Sequence, residues 1–301
     1  MTTFQDFGMK PQLQKAIDAL GYTVPTKIQA DVWQAAKDGA NIVGQSQTGT
    51  GKTTAFLLPL LEAIDSKDRF PQVLIVAPTR ELVTQIRDDI VKLTSSLPIR
   101  SICLMGGRRI DYQREDLRFG PQFIVATPGR LIEFMQEGYL ETDKITHFVL
   151  DEVDRMLDMG FIEDVDRIWS QLTGIKQTMT FSATINDEIK RVLQRHCGEY
   201  VHIRIGDAIT VDKIDHTYID MAHDQKFANL IHLIETHKDQ KIIIFAQTKR
   251  NTEVINDELF DKGYKIMYLN GDLDQRQRTR ALRAFKEGSC KILVTTDVAA
   301  R

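Results

Sequence analysis

Short runs of β-branched and aliphatic residues recur along the whole chain, each followed by a longer stretch with helical spacing, and nothing else in the sequence restricts the fold as strongly. The runs lie at 41–44, 73–77, 101–104, 123–126, 147–151, 178–182 and 201–205, and the clearest helical stretches at 52–64, 81–93 and 185–196. Strands that alternate with helices build βαβ units, and these build parallel sheets. Parallel strands are covered on both faces, which explains an unbroken Val-Leu-Ile-Val at 73–76 where a half-exposed strand would alternate. The text at 206–215, GDAITVDKID, is polar and aperiodic and reads as a linker. The alternation then restarts, with strands expected at 216–221, 241–246, 265–269 and 291–295 and helices at 225–237, 250–262 and 275–288. The predicted class is α/β, with two parallel-sheet domains in tandem, 1–205 and 216–301. The second ends just after a strand, whereas a doubly wound domain usually has more strands, so it is expected to be incomplete.

The 301 residues suffice for two domains of roughly 150 residues each. Lys plus Arg is 39 and Asp plus Glu is 42, a net charge of −3. Bulk basicity therefore gives no argument for nucleic-acid binding, which has to come from local groups. No apolar run approaches the roughly 18 residues of a membrane span, and the start, MTTFQDFGMK, lacks a signal pattern, so a cytoplasmic protein without a membrane partner is expected. Cys103, Cys197 and Cys290 stand alone, which excludes a disulfide framework and a cysteine-rich zinc site.

The segment from Ser46 to Thr53, SQTGTGKT, follows a predicted strand and opens a predicted helix, the context a phosphate-binding loop requires. Gly49 and Gly51, with Thr50 between them, let the backbone curl its N–H groups toward phosphate oxygens. The helix start at Lys52, Thr53 and Thr54 adds its partial positive charge. Lys52 is placed to neutralise the outer phosphates and Thr53 to put a hydroxyl on Mg²⁺. The strict pattern GxxxxGK[ST] departs at one position, where Ser46 stands for the first glycine.

Asp151-Glu152-Val153-Asp154 ends the apolar strand at 147–151. Three carboxylates in four residues are costly at a strand end unless they meet cations. Asp151 is placed to hold Mg²⁺ and Glu152 to polarise an attacking water. Asp154 lies too far along to share both tasks and is expected to make a local or interdomain hydrogen bond.

With these residues on the page, the chain resembles the DEAD-box family of ATP-dependent RNA helicases. Asp151–Asp154 followed by RMLDMGF is close to the family's name-giving segment, with Val153 where Ala is usual. Nearly the whole chain takes part and the motifs occur in family order, most similar to bacterial members with few extra domains. The resemblance implies two RecA-like domains, with ATP and Mg²⁺ as cofactors and RNA as partner. It makes Phe4, Gly21 and Pro25-Thr26-Lys27-Ile28-Gln29 the adenine-recognition motif, whose Gln amide both donates to and accepts from adenine. Pro78-Thr79-Arg80, Gly106-Gly107 and Thr127-Pro128-Gly129-Arg130 become RNA-backbone contacts, and each places hydroxyls, N–H groups or an Arg at a strand end or helix start suited to phosphate. Ser182-Ala183-Thr184 resembles the motif that couples the phosphate site to RNA, beside Asp154.

In the second half, 243–248 resembles a further family strand motif, and Asn270-Gly271-Asp272 with Gln275 and Arg278 matches a Gln-x-x-Arg motif that contacts RNA. Thr295 to Arg301, TTDVAAR, is similar to the motif that contacts RNA through Thr295 and the ATP ribose through Asp297. The family's later arginine-rich motif is expected beyond Arg301. An arginine finger contributes roughly 10³–10⁵ in rate, so the expectation for this chain alone is ATP binding with weak turnover and weak closure on RNA. The implied mechanism is an ATP-driven clamp that grips a single strand by its backbone and pries a few base pairs apart. The rival readings are a DNA-directed translocase of the same loop class, an ATP-dependent RNA-binding scaffold, and an inactive fragment.

Overall fold

The computed structural model describes residues 3–47, 49–205 and 215–296. The chain divides into two compact units, residues 1–211 and 212–301. In the first, helices α1 (Pro11–Ala19) and α2 (Lys27–Lys37) lead into β1 (Asn41–Gln45) and α3 (Lys52–Ala63). Then come β2 (Val73–Val76), α4 (Arg80–Leu93), β3 (Ser101–Leu104), α5 (Ile110–Arg118), β4 (Phe123–Ala126) and α6 (Pro128–Gln136). The unit closes with β5 (His147–Asp151), α7 (Val153–Asp158), α8 (Ile162–Ser170), β6 (Gln177–Ser182), α9 (Asp187–His196) and β7 (Tyr200–Arg204). The seven strands form one sheet in the order β3-β4-β2-β5-β6-β1-β7, every neighbouring pair parallel.

Successive side chains on a strand point to opposite faces, so the sheet feeds two cores. Val73 and Ile75 of β2 pack with α1 to α4, in a cluster that includes Leu13, Ile28, Phe56 and Ile86. Leu74 and Val76 pack on the other face with α6 to α9, among Leu131, Met156, Ile168 and Leu193. All four residues of β2 are fully buried, and each such aliphatic side chain contributes about 1.5–3 kcal/mol relative to exposure. Gly44 on β1 permits this closeness, since a Cβ there would lie 2.5 Å from the ring of its register partner Phe181.

The strand order decides where a site can form. β1, β6 and β5 are adjacent, so the loops at their carboxyl ends converge, and β2, β4 and β3 continue the same edge.

The second unit holds α10 (Lys226–Thr236), β8 (Ile242–Phe245), α11 (Lys249–Asp261), β9 (Ile266–Leu269), α12 (Gln275–Glu287) and β10 (Ile292–Thr295). Its three strands run parallel in the order β8-β10-β9. Ile292 and Val294 face a cluster with Ile234 and Leu259, and Leu293 faces the side of α12. The strand expected at 216–221 does not form: this stretch has no ladder partner among the described residues, and Tyr218 is 93% exposed. Alternation specified an extended backbone there, but a strand also needs a neighbour. Of the expected linker, residues 206–214 lie outside the described residues. Among the described residues no helix is long and apolar enough to cross a membrane, and all three cysteines are buried and free.

Candidate nucleotide-binding site

The loop after β1 is tied closed by its own side chains. Lys52, 8% exposed, donates from Nζ to the Ser46 carbonyl at 2.9 Å. Ser46 Oγ and Thr50 Oγ1 are hydrogen-bonded at 2.9 Å, and Thr50 Oγ1 donates to Gln47 O at 3.0 Å. Ser46, the departure from the glycine pattern, is thus a clasp across the loop. Gly49 and Gly51 take φ of +80° and +90°, conformations that L side chains rarely adopt. Gly51 caps α3, and a Cβ on it would meet Gln29 Nε2 at 2.6 Å. Thr53 and Thr54 form the first turn of α3 with Lys52, where free N–H groups gather.

Asp151 is the last residue of β5 and is 3% exposed. Burial pushes its carboxyl up to about 7, against the pull of Lys52. Oδ1 accepts from Glu152 N at 3.0 Å, and Oδ2 accepts no hydrogen bond from the described residues. Glu152 has φ 56°, the one positive value at a non-glycine residue among those described, and it is the single residue between β5 and α7, which it caps. That conformation costs of order 1–3 kcal/mol and sets the acid on a sharp turn. Burial also raises the Glu152 carboxyl, opposed by Arg155 and then Lys52. Lys52 thus stands near enough to pull both carboxyls down against burial.

Asp154 is held locally. Its Oδ2 accepts from the Ala183 and Thr184 N–H groups at 3.1 and 2.9 Å and from the Thr184 hydroxyl at 3.2 Å. Its own N–H donates to Ser182 Oγ at 3.2 Å, and Ser182 Oγ donates to Thr184 O at 2.7 Å. The Ser182 carbonyl accepts from Ser46 N at 3.1 Å. One knot thus joins the acidic turn, the β6 end and the phosphate loop.

Gln29 is buried at 7% exposure. Its Oε1 accepts from Thr26 N at 2.8 Å in a capping box, and its Nε2 donates to Gly51 O at 3.4 Å. The amide expected to meet adenine thus also braces the phosphate loop. Phe4 departs from expectation. At 2% exposure, packed on Phe7 and stacked on Tyr22, it has little ring surface left for a base.

The predicted RNA contacts of the first unit assemble on the other half of the same edge. Thr79 caps α4, its hydroxyl accepting from Leu82 N at 3.2 Å, and Pro78 before it is buried. The Arg80 guanidinium lies against Gly106 and Gly107 so closely that a Cβ on Gly107 would meet Nη1 at 2.4 Å. Thr127 caps α6 with Pro128 at its first position, and nothing lies within 4 Å of where a Cβ on Gly129 would stand. Arg130 donates to Arg108 O at 3.2 Å and pairs with Glu133.

In the second unit Asn270 is fully buried and donates to Lys249 O and Thr252 Oγ1, while Arg278 donates to Asn270 O at 3.1 Å. Gly271 is exposed beside the Lys249 stem, and Gln275 Oε1 is buried without a partner among the described residues. Thr295 departs from expectation: it is 0% exposed and its hydroxyl donates to Thr296 O at 3.0 Å. Both faces of β10 are covered, so every side chain on it is buried whichever way it points. Asp297 lies outside the described residues.

One supporting residue escaped the sequence reading. Gln113 on α5 is 0% exposed, accepts from Met105 N at 2.8 Å and donates to Met105 O and Arg108 O. It clamps the loop that carries Gly106 and Gly107, and only its place on the inward side of a polar helix signalled it.

The profile described as DEAD/DEAH box helicase matches residues 26–192, and the helicase conserved C-terminal domain matches residues 225–301. The DEAD-box ATP-dependent RNA helicase CshA of Geobacillus kaustophilus is 39% identical over 302 residues, covering 100% of this chain and 65% of that protein. The ATP-dependent RNA helicase DeaD of Klebsiella pneumoniae is 41% identical over 302 residues, covering 100% of this chain and 47% of its own length. The chain therefore spans between about half and two thirds of these relatives. Among solved structures, S. cerevisiae Dbp5 bound to RNA and ADP BeF3 superposes with a TM-score of 0.86 at 29% identity, covering 100% of this chain and 77% of that one. A DEAD box protein from the hyperthermophile Methanococcus jannaschii gives 0.65 at 33% identity, covering 100% and 82%.

Proposed function

Because the chain belongs to the DEAD/DEAH box helicase family, we propose that it carries the ATP-hydrolysing, strand-gripping core of an ATP-dependent RNA helicase. The observation that supports this best is the knot at three adjacent strand ends, where Ser46, Ser182 and Asp154 are hydrogen-bonded in series beside Lys52 and Asp151. In this reading Gln29 recognises adenine, and the curled loop from Ser46 to Thr53 holds the phosphates. Lys52 trades the Ser46 carbonyl for a phosphate oxygen, a stronger charge-assisted bond. Glu152 takes the proton of the attacking water.

Mg²⁺ fits the donor set: a buried carboxylate with one oxygen uncommitted, and the Thr53 hydroxyl, are hard oxygen ligands. No cluster of three or more His, Cys, Asp or Glu among the described residues could hold a metal alone, so the ion would share the triphosphate and waters. When bound, it neutralises phosphate charge. With the cation beside it, Asp151 would work as a carboxylate, since a divalent charge would bring down the pKa that burial raises.

Thr79, Arg80, Gly106, Thr127, Gly129 and Arg130 grip the backbone of a single strand, with Gly271, Gln275 and Arg278 contributing from the second unit. Backbone contacts carry little sequence information, so sequence preference is weak. RNA as that strand rests on the names of the relatives and on the RNA-bound Dbp5. Asp154, Ser182 and Thr184 pass changes at the phosphates along β6 toward this face. ATP and strand together draw the two units closed, and hydrolysis reopens them.

The test is ATP binding and turnover by the 301-residue chain, and by the chain extended through a complete second domain, with single-stranded RNA, single-stranded DNA or neither. The expected result is ATP binding by both, lost in Lys52→Ala, and turnover stimulated by RNA in the extended protein. ATP binding that survives Lys52→Ala overturns the nucleotide site. Stimulation by DNA alone overturns the choice of strand.

A further inference from the structure

The opposite edge of the seven-stranded sheet carries a cavity of about 300 Å³ that plays no part in the site above. Its walls come from the C-terminal halves of α2 and α3 and the first residues of β5 and β6. Its residues on α3, Pro59, Glu62 and Ala63, stand roughly 10–17 Å along that helix from Lys52 and the phosphate loop.

The apolar wall is Trp33, Ala36 and Pro59. Trp33 is 5% exposed and stacks on Phe7 at 5.0 Å, which fixes the indole in place. The polar wall is His147 and Gln177, register partners at the starts of β5 and β6. Both expose acceptors. Thr146 Oγ1 lies within hydrogen-bond reach of two groups, Gln72 O at 3.3 Å and His147 Nδ1 at 2.9 Å. With the hydroxyl proton given to Gln72 O, the ring proton lies on Nδ1 and Nε2 is a bare acceptor. Burial, then Lys176, pushes the imidazole down to about 4, so the ring stays neutral at ordinary pH. Gln177 is 6% exposed, and its Nε2 is fixed by two carbonyls, Ala36 O at 3.0 Å and Ala40 O at 2.8 Å. Its Oε1 accepts nothing from the described residues. Two acceptors on neighbouring strands, about 5 Å apart at the backbone, thus stand over an apolar floor. Lys37, Lys176 and Glu62 at the rim leave about one net positive charge, which favours a neutral guest over a cation.

We propose that this cavity is a second small-molecule site, built for a neutral aromatic ring that carries O–H or N–H donors. The ring packs against Trp33 and Pro59 while its donors meet His147 Nε2 and Gln177 Oε1. An apolar pocket with a few convergent polar groups is the usual build of such a site. The donors are the specificity element, because a ring without them leaves both acceptors buried and unpaired.

The test uses resorcinol, whose two hydroxyls sit on one ring, and 1,3-dimethoxybenzene, which has the same skeleton without donors. Trp169→Phe leaves Trp33 as the reporting indole. The expected result is saturable quenching of Trp33 by resorcinol in the millimolar range, and at least about tenfold weaker binding of the dimethoxy compound, the size of one lost hydrogen bond. His147→Leu, which removes an acceptor, and Ala36→Leu, which fills the cavity, each weaken resorcinol binding by about tenfold or more. Lys52→Ala leaves it unchanged. Quenching linear in resorcinol, equal binding of the two compounds, or binding indifferent to both cavity variants overturns the proposal. Loss of binding in Lys52→Ala overturns it as well, by moving the ring to the phosphate loop.

Discussion

The two edges of the seven-stranded sheet satisfy their buried main chain in different ways. At the edge where strands begin, neutral amides do the work. Gln72 bonds both the N–H and the carbonyl of Asp65. Gln122 accepts from Arg100 N and donates to Ser66 O and Asp68 O. Gln177 holds Ala36 O and Ala40 O. At the edge where strands end, charges join the amides: beside Gln29 on Gly51 O and Gln113 on Met105 stand Lys52 on Ser46 O, Asp151 on Glu152 N, and Asp154 on Ala183 N and Thr184 N. A buried amide costs far less desolvation than a buried ion and fits a join that never changes. A buried ion is poised to change partner when a phosphate or cation arrives. The difference separates a structural edge from a chemical one without reference to any ligand.

The comparison is sharpened most by Glu152→Gln, which replaces an acid by an amide of the same shape at the chemical edge. ATP binding should persist, and turnover in the protein extended through its second domain should fall by roughly 10²–10⁴. Equal turnover would remove Glu152 as the base.

Next is the pH dependence of stability, in which the two ends of β5 oppose one another. His147 has a folded pKa of about 4 against 6.5 unfolded, through burial and then Lys176. Its contribution is full above pH 6.5 and is lost as pH falls toward 4, by roughly 3 kcal/mol over the whole window. Asp151, pushed up to about 7 by burial, works the other way: its contribution is full below pH 4 and is lost as pH rises through 7. Between these limits, denaturant titrations of His147→Leu should show a flatter rise of stability with pH than the parent. Asp151→Asn should show a steeper one. Slopes that change in the same direction would break the contrast.

A third test replaces an amide at the structural edge. Gln122→Leu strands Arg100 N, Ser66 O and Asp68 O, at a cost of about 2–3 kcal/mol. For a unit of this size that lowers Tm by roughly 5–10 °C. ATP affinity at a temperature where the protein is folded should not move.

Much of this was legible in the sequence. Each strand of the large sheet sits within a residue or two of its expected place, because a fully buried parallel strand has to be an unbroken apolar run. The strand-to-helix turns at 46–53 and 151–154 were legible because a glycine-rich text directly after an apolar strand has to turn sharply, and carboxylates at a strand end are costly without a partner. The amide edge was not. The text reads Gln-Val-Leu-Ile-Val at 72, Gln-Phe-Ile-Val-Ala at 122 and Gln-Thr-Met-Thr-Phe at 177. The strands were expected to begin just after each Gln, so a repeated buried amide passed as the polar end of a loop. Thr295 misled for the converse reason. A motif match fixes position along the chain but not burial, and β10 is covered on both faces. The stretch 216–221 had the right alternation and no neighbour to pair with.

The smallest effect divides the chemical edge itself. Thr79 and Asn186 are both N-caps with a side-chain oxygen on the N–H three residues on, at 3.2 Å to Leu82 and 2.9 Å to Ile189. By capping physics alone, Thr79→Ala and Asn186→Ala each cost about 1 kcal/mol of stability. They differ in place. Thr79 ends the β2 turn beside Arg80, whose guanidinium lies on the Gly106–Gly107 backbone, and Asn186 opens α9, outside the predicted RNA motifs. If the β3-β4-β2 half of the edge grips a strand by its phosphates, Thr79→Ala weakens single-stranded RNA binding by about fivefold, equally for all sequences. Thr79→Ser should restore both cap and affinity, and Asn186→Ala should leave affinity untouched. Equal losses of RNA affinity in the two alanine variants would mean that Thr79 acts through the fold alone, and the gripping half of the edge would shrink to its arginines and glycines.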